Sequence, residues 1–263
     1  MTAQPRGTGL FDVHGKVAFV PGGYGGIGEA IVRGLARHGA RVVIAGRDAV
    51  RADALATKLR DEGLAASGCA MDARSVDSIR AAVDGAVAEF GAVDILMNCV
   101  GIQREQPLQD VTEEAWDEVV NVNLKAAMFT AQAVARHQVA AARGGRQVHL
   151  LSVRAQLGLR DRGYSAYCSS KGALAMLVKQ HAMELARHRI TVNGIAPTVV
   201  RTEMAQHWFA NPVTAEAIVK RIPLGRAAEP ADIVGAAIFF CAPASDFITG
   251  QILYLDGGVT ASQ

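Results

Sequence analysis

Tyr167 and Lys171 stand four residues apart in Tyr167-Cys168-Ser169-Ser170-Lys171, so a helix there puts both side chains on one face. A phenol with a pKa near 10 is a poor acid–base group at neutral pH. An ammonium one turn away is expected to stabilise the phenolate and lower that pKa. Ser152 falls upstream, at the end of a strand-like run, where α/β sheets place reactive groups. Its hydroxyl suits a hydrogen bond to a substrate oxygen. Tyr164 lacks such a partner, because Cys168 follows it at the same spacing. A Tyr four before a Lys is commonly chance, and it gains weight only from a second signal.

That signal is the turn Gly22-Gly23-Tyr24-Gly25-Gly26-Ile27-Gly28, between the apolar run Val17–Val20 and a helical pattern closing at His38-Gly39. Glycines there permit a tight turn and let backbone N–H groups and the helix N-terminus meet a pyrophosphate. The spacing is the wider Gly22-x-x-x-Gly26-x-Gly28, not G-x-G-x-x-G. About 20 residues on, a cofactor without a 2′-phosphate is expected to meet an acid. The chain reads Ala45-Gly46-Arg47-Asp48 at that place. Gly46 stands where the acid is expected. The Arg47 guanidinium suits a 2′-phosphate or stacks on adenine, unless Arg47 is only a solvated neighbour of an Asp48 N-cap. The expectation is NADP(H) as the preferred cofactor, with NAD(H) possible. An oxidised nicotinamide then joins Lys171 in lowering the Tyr167 pKa.

The elements that position these residues alternate. Strands are expected at Val17–Val20, Arg41–Ala45, Ala65–Ala70, Val93–Met97, Gln147–Leu151, Arg189–Ile195 and Gln251–Leu255. Helices are expected from Ile27 to His38 and at Asp48–Asp61, Ser75–Phe90, Glu113 to about Ala142, Ser165–His188 and Ala231–Cys241. The pattern predicts an α/β chain, a single-domain Rossmann fold over residues 1–263, with a doubly wound seven-stranded parallel sheet and helices on both faces. Residues 1–13 are expected to be flexible. Residues 203–225, an irregular stretch holding His207, Trp208 and Phe209, are expected to cover the substrate.

Composition narrows the function. Lys plus Arg number 27 against 25 Asp plus Glu, a net +2 without like-charge blocks, so a nucleic-acid or membrane-surface role has little electrostatic support. Half of the residues are apolar and 5% aromatic, which suits an aliphatic core. The longest apolar stretch, Ile233–Ala242, is well short of the roughly 20 residues of a membrane helix. Cys69, Cys99, Cys168 and Cys241 lie far apart, and together with an N-terminus lacking an apolar signal core they point to reduced thiols in a cytoplasm. The seven histidines show no ligand spacing, so no metal is expected.

Taken together, these motifs resemble a short-chain dehydrogenase/reductase of the classical type, over Lys16 to Gly258. The resemblance implies four catalytic residues, Asn123, Ser152, Tyr167 and Lys171, with Asn123 holding a water that links Lys171 to solvent. It implies a cofactor set of Gly22, Tyr24, Gly25, Gly26, Ile27, Gly28, Arg47, Asp72, Ala73, Asn98, Val100, Gly101, Pro197, Thr198, Val200 and Thr202, besides Tyr167 and Lys171. Asp72 is the residue matched to adenine, Asn98 opens the motif beside the ribose, and Val200 and Thr202 clasp the nicotinamide. It also implies a homotetramer. Pro21, Cys99 and Thr198 depart from the family pattern. Pro21 and Cys99 lack the hydroxyl and amide that tie the glycine turn to strand four, so apolar contact is expected in place of that tie, and Thr198 is expected to crowd the nicotinamide side.

Within the family the chain is most similar to gluconate 5-dehydrogenase-like members, on stretches such as Gly101-Ile102-Gln103-Arg104 and Ala244-Ser245-Asp246-Phe247. Arg104 or Arg154 is expected to clamp a substrate carboxylate, with surface arginines the equal alternative. Arg160 and Arg162 are expected to be solvated, and Trp208 either packs or recognises substrate. A sugar acid or polyol such as gluconate/5-ketogluconate leads as the alcohol/ketone substrate. A cyclic or aromatic ketone and a 3-oxoacyl thioester are the alternatives. A catalytically silent dinucleotide-binding protein is the non-enzyme reading.

Overall fold

The computed structural model describes residues 9–262; most of the N-terminal stretch expected to be flexible, residues 1–8, lies outside them. Short aliphatic runs form seven strands: β1 (Val17–Pro21), β2 (Arg41–Gly46), β3 (Ala66–Ala70), β4 (Ile95–Asn98), β5 (Gly145–Leu150), β6 (Ile190–Pro197) and β7 (Ile252–Leu255). All neighbours pair parallel, in the order β3-β2-β1-β4-β5-β6-β7. Every residue of β1 and β6 is buried, as strands covered on both faces must be. The helices are α1 (Gly26–Arg37), α2 (Ala49–Asp61), α3 (Val76–Phe90), α4 (Glu113–Val120), α5 (Ala126–Ala141), α6 (Ser165–Leu185), α7 (Gln206–Phe209), α8 (Pro212–Lys220) and α9 (Pro230–Cys241).

Strand alternation sorts the core into two layers. On one face Val20, Ile44 and Met97 meet Ile31 and Leu35 of α1, Leu55 and Leu59 of α2, and Ile233 and Phe240 of α9. On the other, Phe19, Val43 and Leu96 meet Ile79 and Val83 of α3 and Val134 of α5. Leu174, Val178 and Ala182 of α6 extend that second layer over Val192 and Ala196 of β6. The strand order reverses between β1 and β4, which opens a crevice at the carboxyl edge of the sheet.

Two expectations need correcting. The single helix over Glu113–Ala142 is interrupted by a π-helical turn at Asn121–Lys125, where the Ala126 N–H reaches back five residues to the Asn121 carbonyl. Asn-Val-Asn-Leu-Lys carries no residue that marks such a turn. The stretch after β6 is not irregular throughout. It folds α7 and α8, and Asn211 caps α8 by accepting from Val213 N while Pro212 occupies the first turn.

The join between β6 and β7 depends on one buried amide. Asn193 is fully buried, donates to the Ile248 carbonyl at 2.8 Å and accepts from Gln251 N at 3.0 Å. Asn193→Ala leaves both backbone groups without this partner and is expected to destabilise the protein by about 1–3 kcal/mol in denaturant unfolding. A loss within experimental error would contradict this role.

Candidate active site

The end of β5 and the first turns of α6 build the centre of the site. Ser152 follows β5 by two residues, is buried, and accepts the Arg154 backbone N–H at 3.1 Å, which fixes its hydroxyl at the crevice. Lys171, 3% exposed, sends its Nζ to the Leu150 carbonyl at 2.8 Å, pinning α6 to the strand end. One turn earlier Tyr167 is half-buried, with Tyr164 edge-on against it at 6.0 Å. Asn123 sits in the π-helical turn, fully buried. Its amide accepts from Ile102 N at 2.8 Å and donates to the Ile102 carbonyl at 2.9 Å and to Ser170 Oγ at 3.1 Å.

Burial sets the electrostatics of this pair in the chain alone. The Lys171 ammonium lies 5.7 Å from the Tyr167 ring centroid and spends a hydrogen bond on Leu150. Burial pushes the Tyr167 phenol up to about 12, against the pull of a hydrogen bond with Ser152. Burial also pushes Lys171 down to about 8. Desolvation therefore outweighs the Ser152 hydrogen bond. At neutral pH Tyr167 is a protonated phenol, a proton donor, and Lys171 titrates close to the working range.

A cavity of about 660 Å³ runs from this centre to the glycine turn. Its walls include Ser152, Tyr167 and Lys171 at one end and Gly22, Tyr24, Gly25, Gly26, Ile27, Gly28, Gly46, Arg47 and Ala73 at the other, with Val100, Gly101, Pro197, Thr198, Val200 and Thr202 between. The turn is built for close approach. Gly22 has φ +76°, and a Cβ on it would stand 2.9 Å from the Cys99 carbonyl; one on Gly28 would stand 2.2 Å from the Gly22 carbonyl. α1 begins at Gly25 with no side-chain cap, whereas Asp48, Ser75, Thr112 and Asn211 cap α2, α3, α4 and α8. Gly28 N donates to the Gly25 carbonyl at 2.7 Å, while the Gly26 and Ile27 N–H groups have no partner among the described residues and fit an anion such as a dinucleotide pyrophosphate.

Four of the expected residues stand outside the cavity wall. Asn98 is buried, donating toward His149 Nδ1 at 3.3 Å and accepting from Val100 N at 3.2 Å, so it shapes the turn after β4. Asp72 accepts from Arg74 N at 3.0 Å, between the lining residues Met71 and Ala73. Asn123 acts from behind Ile102. Arg104 is bound to Glu118 at 2.7 Å and to the Gln103 carbonyl. Where the family's side-chain tie is missing at Pro21 and Cys99, Cys99 packs against the apolar core, and its N–H donates to the Pro21 carbonyl at 2.9 Å. Burial pushes the Cys99 thiol up to about 12, leaving it neutral.

The substrate end is lined by Arg154, Arg160, Arg162, Trp208 and Arg221. Arg154 donates to the Leu157 carbonyl at 3.2 Å and to that of Gly158. Arg162 is not simply solvated: it pairs with both oxygens of Glu105 and lies 5.7 Å over the Trp208 ring and 6.0 Å over Tyr164. Arg221 went unread in the sequence, because the cavity it lines is assembled from distant segments. Among the described residues no group of three His, Cys, Asp or Glu is placed to hold a metal.

Comparison with known proteins follows the geometry. A family model described as Enoyl-(Acyl carrier protein) reductase matches residues 22–260. The chain is 38% identical over 256 residues to gluconate 5-dehydrogenase of Gluconobacter oxydans, covering 96% of this chain and 98% of that protein. It is 37% identical over 250 residues to 5-keto-D-gluconate 5-reductase of Escherichia coli K12, covering 95% and 97%. A gluconate 5-dehydrogenase from Burkholderia cenocepacia J2315, solved in complex with NADP and tartrate, superposes with a TM-score of 0.93 at 38% identity, over 97% of this chain and 98% of that one.

The buried amine gives a stability signature. Folding lowers the Lys171 pKa from 10.5 to about 8, so between those values the unfolded chain holds a proton that the folded protein has released. Stability from this group therefore rises with pH across that window. Lys171→Met removes the titration. Its stability relative to the parent chain is expected to fall by about 3 kcal/mol from neutral pH to pH 10.5. Denaturant unfolding at the two pH values checks this, and a pH-independent difference would contradict it.

Proposed function

The chain belongs to the short-chain dehydrogenase/reductase family, and on that premise we propose that it is an NADP(H)-dependent oxidoreductase interconverting a secondary alcohol and a ketone in a sugar acid of the gluconate/5-ketogluconate type. The observation that carries this reading is one cavity joining Ser152, Tyr167 and Lys171 to an uncapped helix N-terminus on a glycine turn.

The bound nicotinamide supplies or takes up the hydride at the carbinol carbon. Gly22, Gly26, Ile27 and Gly28 would cradle the pyrophosphate, Arg47 would meet the 2′-phosphate, and Pro197, Thr198, Val200 and Thr202 would flank the nicotinamide end. In ketone reduction Tyr167 gives its hydroxyl proton to the substrate oxygen, a proton that the phenol carries at neutral pH. Ser152 donates a hydrogen bond to the same oxygen and holds it against the phenol. Lys171 holds the ribose and, with its lowered pKa, returns a proton toward Tyr167 through the site's hydroxyl groups. Asn123 orders this end by clamping Ile102 and Ser170. In the oxidative direction each transfer reverses.

Arginines favour an acid over a neutral polyol. Arg154 and Arg221 face the substrate end, and neither forms an ion pair among the described residues. Arg154 holds the carboxylate, in preference to Arg104, which is engaged by Glu118. Trp208 offers a wall for the carbon chain and a buried indole N–H that has no partner among the described residues. Residues 203–225 close this end over the substrate.

The protein works as a homotetramer in the cytoplasm. Leu124, Met128, Phe129 and Leu177 line a shallow apolar face on α5 and α6, beside the exposed Met176, and a second copy buries it. The unpaired cysteines suit a reducing compartment, and among the described residues no helix is long and apolar enough to cross a membrane.

Consumption of NADPH with 5-keto-D-gluconate, and with a neutral polyol ketone of similar length, tests the assignment. Turnover of the acid is expected. Tyr167→Phe should lose roughly a hundred- to ten-thousand-fold in kcat while still binding NADPH. Arg154→Gln should raise KM for the acid alone, by about tenfold or more. Turnover that survives Tyr167→Phe, or equal use of the neutral ketone, contradicts the proposal.

A further inference from the structure

Gly46, the last residue of β2, lies under the ring of Tyr24. A Cβ placed on Gly46 would stand 2.3 Å from Tyr24 Cε1 and 2.8 Å from both Cζ and the hydroxyl oxygen. Any side chain at this position must therefore displace the ring. The ring is held from two sides. Its hydroxyl accepts the Asp48 backbone N–H at 3.1 Å, and the Arg51 guanidinium lies 5.1 Å from its centroid. Arg51 is itself fixed in the first turn of α2, where its N–H donates to the Asp48 side chain at 3.0 Å.

Two exposed guanidinium groups flank the ring, with the Asp48 carboxylate turned to the α2 backbone. Arg47 and Arg51 are exposed, and neither forms an ion pair among the described residues. Arg74, on the same part of the cavity wall, is taken up by Glu118. Tyr24, Gly46 and Arg47 line the glycine-turn end of the cavity. In a doubly wound dinucleotide site, an acid at the end of the second strand bonds a ribose 2′-hydroxyl, whereas a nearby arginine accommodates a 2′-phosphate. Tyr24 fills the volume that such an acid needs. A guanidinium stacked on an aromatic ring keeps its N–H donors at the edge, free for a phosphate.

We propose that Tyr24 determines selectivity for the phosphorylated dinucleotide: its ring over Gly46 excludes an acid from the end of β2, and it carries Arg51 as a second guanidinium beside Arg47 for the 2′-phosphate. The inference rests on the dinucleotide reading above and assigns it two further residues. Selectivity is then set by a packed unit and not by Arg47 alone. A single substitution to acid at Gly46 does not convert the site, because the ring must first give up both its hydrogen bond and its stacked arginine.

Fluorescence titration of the full chain with NADPH and NADH, alongside thermal unfolding, tests this without any turnover. Gly46→Asp alone is expected to unfold at a lower temperature and to bind both dinucleotides at least about tenfold more weakly. Tyr24→Ser combined with Gly46→Asp should regain NADH binding by about tenfold over that single variant and lose the preference for NADPH. Arg51→Gln should weaken NADPH binding about tenfold and leave NADH binding within about twofold, as loss of a charge-assisted bond to phosphate requires. Three results each overturn the proposal: Gly46→Asp alone prefers NADH at unchanged stability, the double variant fails to recover, or Arg51→Gln leaves NADPH affinity intact. If the parent chain binds neither dinucleotide, the dinucleotide reading itself fails, and that outcome is distinct from the other three.

Discussion

The hydrogen bond from Lys171 Nζ to the Leu150 carbonyl, 2.8 Å long, ties the catalytic helix to the strand that carries Ser152. Both halves of the site depend on that tie. It holds Tyr167, one turn back on α6, against the end of β5, and it draws an amine into the interior where only a carbonyl receives it. The cost of burying that charge is the price of its readiness to titrate. An amine left in water has no comparable tendency to release its proton near neutrality.

The sheet supplies the rest of the geometry. Parallel strands all end on one edge, and the reversal of order between β1 and β4 leaves space there for the glycine turn and the segment after β4 to meet. Their contact is intimate: the Gly22 Cα faces the Cys99 carbonyl, and Cys99 N–H bonds Pro21. Substitutions at Pro21 and Cys99 therefore leave the junction in place, because the link runs through backbone groups. At the far end three segments meet around Arg162, whose ion pair with Glu105 and stacking on Tyr164 and Trp208 fasten the loop after β4, the loop before α6 and α7 together.

What the sequence made legible was local. Tyr167 and Lys171 share a face because four residues make a helical turn, and the glycine turn declares itself between a strand and a helix. Where the partner was remote, residue types were not enough. Arg104 reads as a free cation until α4 brings Glu118 to it. The partner of Asn98 is equally remote, since only the register of β4 against β5 sets His149 opposite it. The π-helical turn at Asn121–Lys125 adds one residue to a helix without any distinctive composition. The upward push on the Tyr167 phenol was also out of reach, because the desolvation behind it belongs to the whole fold. The role of Gly46 illustrates the same limit. As a missing acid it could be read from sequence, but the ring that fills its place comes from the turn after β1.

Burial holds the Tyr167 phenol above its ordinary pKa. Phenolate absorbance of the cofactor-free protein, titrated with pH and compared with Tyr167→Phe, measures this directly. The expected difference spectrum stays flat past the ordinary tyrosine range and rises only toward pH 12. A Tyr167 phenolate appearing between about pH 7 and 9 would contradict it and show that neighbouring positive charge outweighs burial.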